Sequence, residues 1–173
     1  MLAFFPISSV ASRQYTSTKI QVSRQIPIML KSFFRAFLSF AVWMYQRTDG
    51  KFGGKVQGLP VLLLTTTGRK TGKKRILPLG YFEYGNSYVI TASNAGFDTH
   101  PAWFHNLKSN PKVALQIQDT QFTAIAEPAN PTLRKQLWNK LVEIAPGYSA
   151  YEKRTTREIP MVLLRPVSEE SSR

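Results

Sequence analysis

The chain contains no cysteine in 173 residues. That excludes disulfides, thiolate metal sites and a cysteine nucleophile, and it fits a reducing compartment. His100 and His105 are the two histidines, so a zinc site built on imidazoles has no support. Acids are also scarce: 10 Asp and Glu stand against 23 Lys and Arg, and none precedes Asp49. Acids this sparse and scattered support neither a paired-carboxylate site nor a Ser/His/Asp triad, so hydrolase chemistry has little basis. The apolar stretch at residues 30–46 is shorter than the roughly 20 residues that a spanning helix needs, and Arg35 interrupts it. What is present is an ordinary 43% of apolar residues, enough for one domain with a core.

The formal net charge is +13. A surplus of this size suits nucleic acid, an anionic membrane surface or a polyanionic small molecule. Distribution narrows the choice. Arg13, Lys19, Arg24, Lys31, Arg35 and Arg47 precede the first acid, and a second concentration lies at Thr65–Arg75, which reads TTTGRKTGKKR. Arg69, Lys70, Lys73, Lys74 and Arg75 are its cations. The run follows an apolar strand, Leu59–Leu64. A strand opening into a Gly/Thr/Lys/Arg turn presents backbone N–H groups, hydroxyls and cations together, a set that suits phosphate or carboxylate oxygens. It is not a phosphate-binding loop of the Walker type, because Gly68 and Gly72 are too close and Lys73 is followed by Lys74. A solvated hairpin tip is the bland alternative.

Residues 1–28 are rich in Ser, Thr and Gln and free of acids. They read as a disordered tail, a targeting segment or an over-long start, with Met29 as the true initiator. Residues 29–167 read as one domain and 168–173 as a polar tail. Residues 30–46 predict an amphipathic helix with Leu30, Phe33, Phe34, Phe37, Leu38, Ala41, Met44 and Tyr45 on its apolar stripe. Such a helix either packs on the domain or lies on a membrane surface. Strands are expected at Val61–Thr67, Arg75–Tyr84 and Ser87–Ser93, then around Val113–Ile117, at Phe122–Glu127 and at Ile159–Leu164. Pro78 inside the second strand implies an edge, a bulge or a site opening. Pro101 sits well in the first turn of a helix to about Ser109. Asn130-Pro131 caps and opens another to about Ala145, striped by Leu133, Leu137, Leu141 and Ile144. The pattern predicts an α+β fold: a small β-barrel of about six mainly antiparallel strands with an N-terminal amphipathic helix and two short helices.

Three further clusters carry potential chemistry. Trp103 beside Asn106 could wall a planar ligand, although Trp103, Phe104 and Leu107 also read as core, and His105 as an ordinary satisfied histidine. Thr91-Ala92-Ser93-Asn94 ends a strand with small residues that let a flat ring approach. Tyr148, Tyr151 and Arg154 are spaced by threes, so two phenols can line a pocket or donate a proton, or simply pack. With no metal ligands, an anion cradle and small-residue walls, the chain suits a bulky anionic organic cofactor.

These residues resemble the deazaflavin-dependent nitroreductase family, whose members are split β-barrels that use reduced coenzyme F420. The likeness rests on LLTTTGRKTG at 63–72, Arg75, Pro78-Leu79, Ala92-Ser93 and PAWFHNLKSNP at 101–111. It continues through Tyr148-Ser-Ala-Tyr151 and Thr156-Arg157-Glu158-Ile159-Pro160, and covers roughly residues 30–166. By resemblance, Arg69, Lys70, Thr71, Gly72, Lys73 and Arg75 hold the cofactor's phosphate and oligoglutamate tail. Leu77 and Pro78 touch the deazaflavin region. Thr91, Ala92, Ser93 and Asn94 line the ring site, and Ala102, Trp103, Phe104, His105 and Asn106 close it. Tyr148 and Tyr151 flank ring and substrate and are the candidate catalytic residues. The reaction implied is hydride transfer from F420H2 to an electron-poor small-molecule acceptor such as a quinone, enone or nitro compound. An FMN- or haem-type split-barrel binder is the alternative, as is a basic membrane-surface or nucleic-acid-binding protein. No metal and no nucleic-acid partner are expected. A cytoplasmic location is implied, either free or at the inner face of the membrane through residues 30–46. Gly80, Ala145, Leu77 and Lys74 depart from the family pattern and imply a wider, differently lined acceptor pocket.

Overall fold

The computed structural model describes residues 28–51 and 53–167. The expectations for residues 1–28 and 168–173 lie outside the described residues, apart from Ile28, which opens the first helix. Helix α1 (Ile28–Arg47) leads into the short strand β1 (Lys55–Val56) and then β2 (Leu59–Thr67), β3 (Lys74–Tyr84) and β4 (Ser87–Thr91). Helix α2 (Ala102–Ser109), β5 (Lys112–Ile117), β6 (Thr120–Pro128), α3 (Pro131–Ile144), α4 (Ser149–Glu152) and β7 (Met161–Pro166) follow. The strand order is β1-β2-β3-β4-β7-β6-β5, all antiparallel, and β2 also pairs with β5. That last pairing closes the six long strands into the expected barrel. β1 adds a short edge, and α4 is a helical turn in what reads as an irregular connector.

The sequence of β2 explains its place. Leu62 and Leu64 join Ile90, Leu115, Val162 and Leu164 inside the barrel. Val61 and Leu63 face outward and pack with Tyr45 and Val42 of α1. A third cluster, outside β4 and β7, joins Phe82, Val89 and Leu163 to Leu137, Trp138 and Leu141 of α3. Strands covered on both faces read as continuous apolar runs, as β2 does. Each fully buried leucine here contributes about 1.5–3 kcal/mol, so a charge at Leu64 would open the barrel.

Tyr45 sets the roll of α1. It is 2% exposed; its hydroxyl donates to the Val61 carbonyl at 2.8 Å and accepts the Gln118 N–H at 3.0 Å. Leu38, Ala41 and Val42, at helical spacing from Tyr45, are half-buried on the same side. The predicted stripe is corrected here: Phe37 is 58% exposed and lies with Phe40 and Trp43 on the outer side. Two buried hydrogen bonds to one phenol outweigh the placement of one more aromatic ring. Ile144 is also exposed, and Trp138 takes its expected place in the core, because α3 ends just where Ala145 tucks in. The Asn130 cap is as expected, with Oδ1 accepting the Leu133 N–H at 2.9 Å and Pro131 opening the helix. Pro101 is the N-cap of α2 rather than its first helical residue.

Pro78 marks the split. From Lys74 to Gly80, β3 pairs with β2, and β4 joins only at Tyr81. A residue without an N–H is tolerated on such a half-paired strand.

The connector from α3 to β7 is fastened at two points. Glu152 accepts the Trp138 indole N–H at 3.0 Å and pairs with Arg134 at 3.3 Å. Further on, Arg157 reaches across to the segment after β4, and its Nη1 meets His100 Nδ1 at 3.1 Å.

Two outcomes follow for stability. Tyr45→Phe leaves the Val61 carbonyl and the Gln118 N–H without the phenol and should cost about 1–3 kcal/mol in a denaturant titration; an unchanged midpoint would contradict the role of that phenol. Burial first, then Arg157, His105 and Lys108, hold the His100 imidazole below its ordinary value of 6.5. The unfolded chain therefore takes up this proton before the folded one does. The stability from a neutral His100 is complete above the ordinary imidazole range and is lost as pH falls through and below it. Between about pH 7.5 and about pH 5.5, Tm should fall more for the wild type than for His100→Asn, which keeps an acceptor and loses the titration. Parallel slopes would contradict this.

Candidate functional site

The basic turn connects β2 to β3 and is built on its glycines. Gly68 N–H donates to the Lys73 carbonyl at 2.9 Å, and the Thr71 and Gly72 N–H groups return to the Gly68 carbonyl at 3.1 and 2.8 Å. Gly72 has φ of 65°, the left-handed region that a side chain disfavours. A Cβ on Gly68 would lie 3.0 Å from Thr71 Oγ1 and 3.1 Å from the Lys73 carbonyl oxygen, so the fold of the turn depends on its absence. Arg69, Lys70, Lys73, Lys74 and Arg75 are all exposed. Lys74 Nζ donates to Thr67 Oγ1 at 3.1 Å. The salt bridges among the described residues, Arg134–Glu152 and Arg165–Glu127, lie elsewhere. Within the described residues, no acid neutralises the turn.

Helix α2 holds this turn. Asn106 is 8% exposed. Its Oδ1 accepts the Arg69 backbone N–H at 3.1 Å, and its Nδ2 donates to Thr66 Oγ1 at 3.2 Å. The carboxamide is thus engaged at both ends with protein and places the turn. Trp103 and Phe104 are buried in the barrel interior with Leu62, Leu64 and Ala92, as the core reading of these residues had it. Ala102 is exposed and His105 half-buried.

The segment after β4 forms a second wall. Thr91 Oγ1 donates to Met161 Sδ at 3.4 Å, and Ala92 is buried in the core. Ser93 is half-buried, and the Asn94 side chain donates to the Thr99 carbonyl at 2.8 Å. Leu77 and Pro78 are half-buried on the open half of β3.

Tyr148 and Tyr151 meet edge to face, with centroids 5.4 Å apart and planes at 83°. Tyr148 packs into the outer cluster with Trp138 and Ala145. Burial, and to a smaller degree Tyr151, push its phenol above the ordinary 10.0, so it stays protonated at neutral pH. The Gln57 side-chain amide donates to the Tyr151 hydroxyl. The phenol oxygen of Tyr151 is thereby occupied as an acceptor while its own proton remains available.

The structure also corrects the expectation of a wider pocket beside Gly80. A Cβ there would lie 3.0 Å from Val56 Cγ1 and 3.3 Å from Leu59, so residues around the β1–β2 hairpin fill that room. Ala145 is 2% exposed and packs in the core rather than opening a wall. A surface cleft of about 400 Å³ opens at the foot of the basic turn, with Thr67, Lys74, Lys112, Ala114, Thr123 and Ile125 in its lining. None of the residues expected to face the ring lines that cleft.

Sequence reading passed over three contributors. Arg157 ties the segment after β4 to the connector, and its signal was its place in the family-like run 156–160. Thr66 supports Asn106 from between Thr65 and Thr67 at the end of β2, and is the fully buried one of the three. Gln57, with φ of 50°, reaches Tyr151 across 94 positions and carries no local signal.

Residues 38–166 match the family described as F420H(2)-dependent quinone reductase. An F420H(2)-dependent quinone reductase of Mycobacterium tuberculosis strain H37Rv is 39% identical over 125 residues, 70% of this chain and 84% of that protein. A solved structure of an F420-H2 dependent reductase, FDR-A, is similar at 37% identity and a TM-score of 0.57, covering 61% of this chain and 94% of that one. A second, described as a domain-swapped dimer, is 32% identical with a TM-score of 0.58 and covers 78% of this chain and 99% of that one. The closed barrel, the unneutralised basic turn and the match over residues 38–166 agree, and the chain belongs to the F420H(2)-dependent quinone reductase family.

Proposed function

We propose that this chain transfers hydride from F420H2 to a quinone, gripping the cofactor's phosphate and acidic tail with the Thr65–Arg75 turn. The observation that carries the reading is the cluster of exposed cations with no acid against it among the described residues. The residues present fit such a group: exposed guanidinium and ammonium donors, the Thr71 hydroxyl and a glycine-built backbone are gathered in one hairpin turn. FMN carries a single phosphate, and five clustered cations exceed what it needs. The family is named for quinones, and enone or nitro acceptors have no support beyond the sequence resemblance.

When bound, reduced deazaflavin supplies the hydride. The chain's part is to hold the ring between the Thr91–Asn94 segment and the open half of β3, to orient the acceptor and to place a proton at its oxygen. Tyr151 is the better placed of the two phenols for that proton, since Gln57 occupies its acceptor side. Tyr148, buried and raised, serves as a wall.

The outer face of α1 gives the finer reading of where the acceptor is met. Phe40 and Trp43 stack at 5.8 Å, Phe37 is exposed beside them, and Arg47 lies over Trp43 at 5.8 Å. Among the described residues no helix is long and apolar enough to cross a membrane. An exposed aromatic face on a strongly cationic protein suits an anionic lipid surface, where apolar quinones reside.

Titration of the protein with F420, followed by deazaflavin fluorescence, should saturate at micromolar cofactor, and no response would contradict the proposal. Arg75→Ala and Lys70→Ala should each raise Kd several-fold, the loss of about 1 kcal/mol expected for one exposed charge contact among several. Turnover at saturating cofactor should change far less, and the reverse pattern would count against the turn as a tail site. Tyr151→Phe should slow quinone reduction by about 100-fold or more with cofactor affinity unchanged; full activity would assign the proton to water. Vesicles of phosphatidylcholine with phosphatidylglycerol should bind the wild type but not Phe37→Ser/Phe40→Ser/Trp43→Ser. Equal binding by both would exclude the aromatic face as the anchor, and a variant that instead changes from dimer to monomer would assign that face to a second copy.

A further inference from the structure

We infer that Arg157 is a positioning residue for hydride transfer, fixing the Ala92–Phe97 segment against the connector that carries Tyr148 and Tyr151. This rests on the reading above, in which those two elements face the ring and the acceptor. Arg157 has no place in that reading as a ligand group. Its guanidinium is spent on protein: Nε donates to the Phe97 carbonyl at 2.9 Å, and Nη2 to the Ala92 and Ser93 carbonyls at 3.1 and 2.8 Å. Nη1 meets His100 Nδ1 at 3.1 Å and the Glu158 carbonyl at 3.4 Å. One side chain therefore gathers three backbone carbonyls of one wall from its seat at the end of the other.

The gathered segment would not hold its shape unaided. Asn94, Ala95 and Gly96 have φ of 48°, 53° and 80°, three successive residues in the left-handed region. For Ala95, whose Cβ crowds the following carbonyl in that region, the conformation is unfavourable, and Asn94 tolerates it more readily. Strain of this kind persists only where surrounding contacts over-determine it. The connector supplies them by direct pressure as well. A Cβ on Gly96 would lie 2.9 Å from Arg154 Cβ and 3.0 Å from the Tyr151 carbonyl oxygen. Thr155 Oγ1 adds a bond to Asp98 at 2.8 Å. The residue that contacts Gly96 through its backbone is thus the one whose phenol is the candidate proton donor. If the Ala92–Phe97 segment moves, the ring wall and Tyr151 lose their common reference together.

Geometry also explains why the residue is arginine. A planar fork reaches carbonyls on both sides of a bend at once, whereas an ammonium is a point donor on a flexible stem. The basic turn is held by the Asn106 bonds to Arg69 and Thr66, and the knot meets that helix through the packing of His100 on Phe104 rather than through those bonds. Loss of Arg157 should therefore separate affinity from rate, which a general loss of stability would not.

The test measures F420 affinity by fluorescence and the single-turnover oxidation of bound F420H2 by menadione, with Tm recorded for each variant. Arg157→Lys should keep Kd within about threefold of wild type and slow hydride transfer about 100-fold, the size expected when reacting groups are displaced by about 1 Å. Tyr45→Phe, which loosens the hold of the barrel on α1 and touches neither the knot nor the connector, serves as the stability control and should lower Tm with little change in rate. A wild-type rate in Arg157→Lys overturns the inference, and so does a rate that falls in step with Tm across both variants. Failure of the wild type to bind F420 sinks the underlying reading instead and is seen before any variant is made. Should Arg157→Lys not fold, His100→Ala and Thr155→Val each remove one tie of the same knot. Each should then slow transfer several-fold at unchanged Kd, and unaltered rates in both overturn the inference.

Discussion

Asn106 accepts the Arg69 N–H and donates to the Thr66 hydroxyl, and the position of the protein's main positive cluster follows from those two bonds. Helix α2, which carries Asn106, is itself pinned into the barrel mouth by Trp103, Phe104 and Leu107. The cations of the turn have no acid to hold them among the described residues, so backbone and carboxamide bonds must do so. A buried amide left with one partner would cost about 1–3 kcal/mol, which is why the arrangement has one dominant geometry. Charge placed this way is committed to the outside. Each exposed contact to an anion is weakened by water and salt, so a grip of useful strength needs several cations acting on one polyanion.

The second organising constraint is covalently remote from the first. The segment after β4 is strained, and the connector after α3 is anchored to its helix by Glu152 and to that segment by Arg157. The barrel supplies rigid strands between the two. On the proposed reading, affinity for an acidic tail would rest on the hydrogen bonds centred on Asn106 and geometry for a reacting ring on those centred on Arg157. A fold built this way can change its acceptor without changing its grip on the cofactor.

Much of this was legible in the sequence. Alternation and doubly apolar runs gave the strands, Asn130-Pro131 gave a helix start, and Pro78 marked the half-paired part of β3. The basic turn stood out because five cations in seven positions have no local acid. What could not be read were the contacts between distant segments. The roll of α1 is decided by the bonds of Tyr45 to Val61 and Gln118, so the periodicity of its aromatics placed Phe37 on the wrong side. The space beside Gly80 is filled by Val56 and Leu59, which no reading of position 80 alone could supply. The bonds of Asn106 to Arg69 and Thr66 join segments 37 and 40 positions apart and had no local signal.

The most direct test of the account is a crystal structure of the full chain soaked with F420. The cofactor's phosphate and at least one tail carboxylate should lie within hydrogen-bonding distance of side chains between Arg69 and Arg75, with the tricyclic ring against the segment that Arg157 holds. A complex in which those cations remain in solvent while the tail runs elsewhere would contradict it.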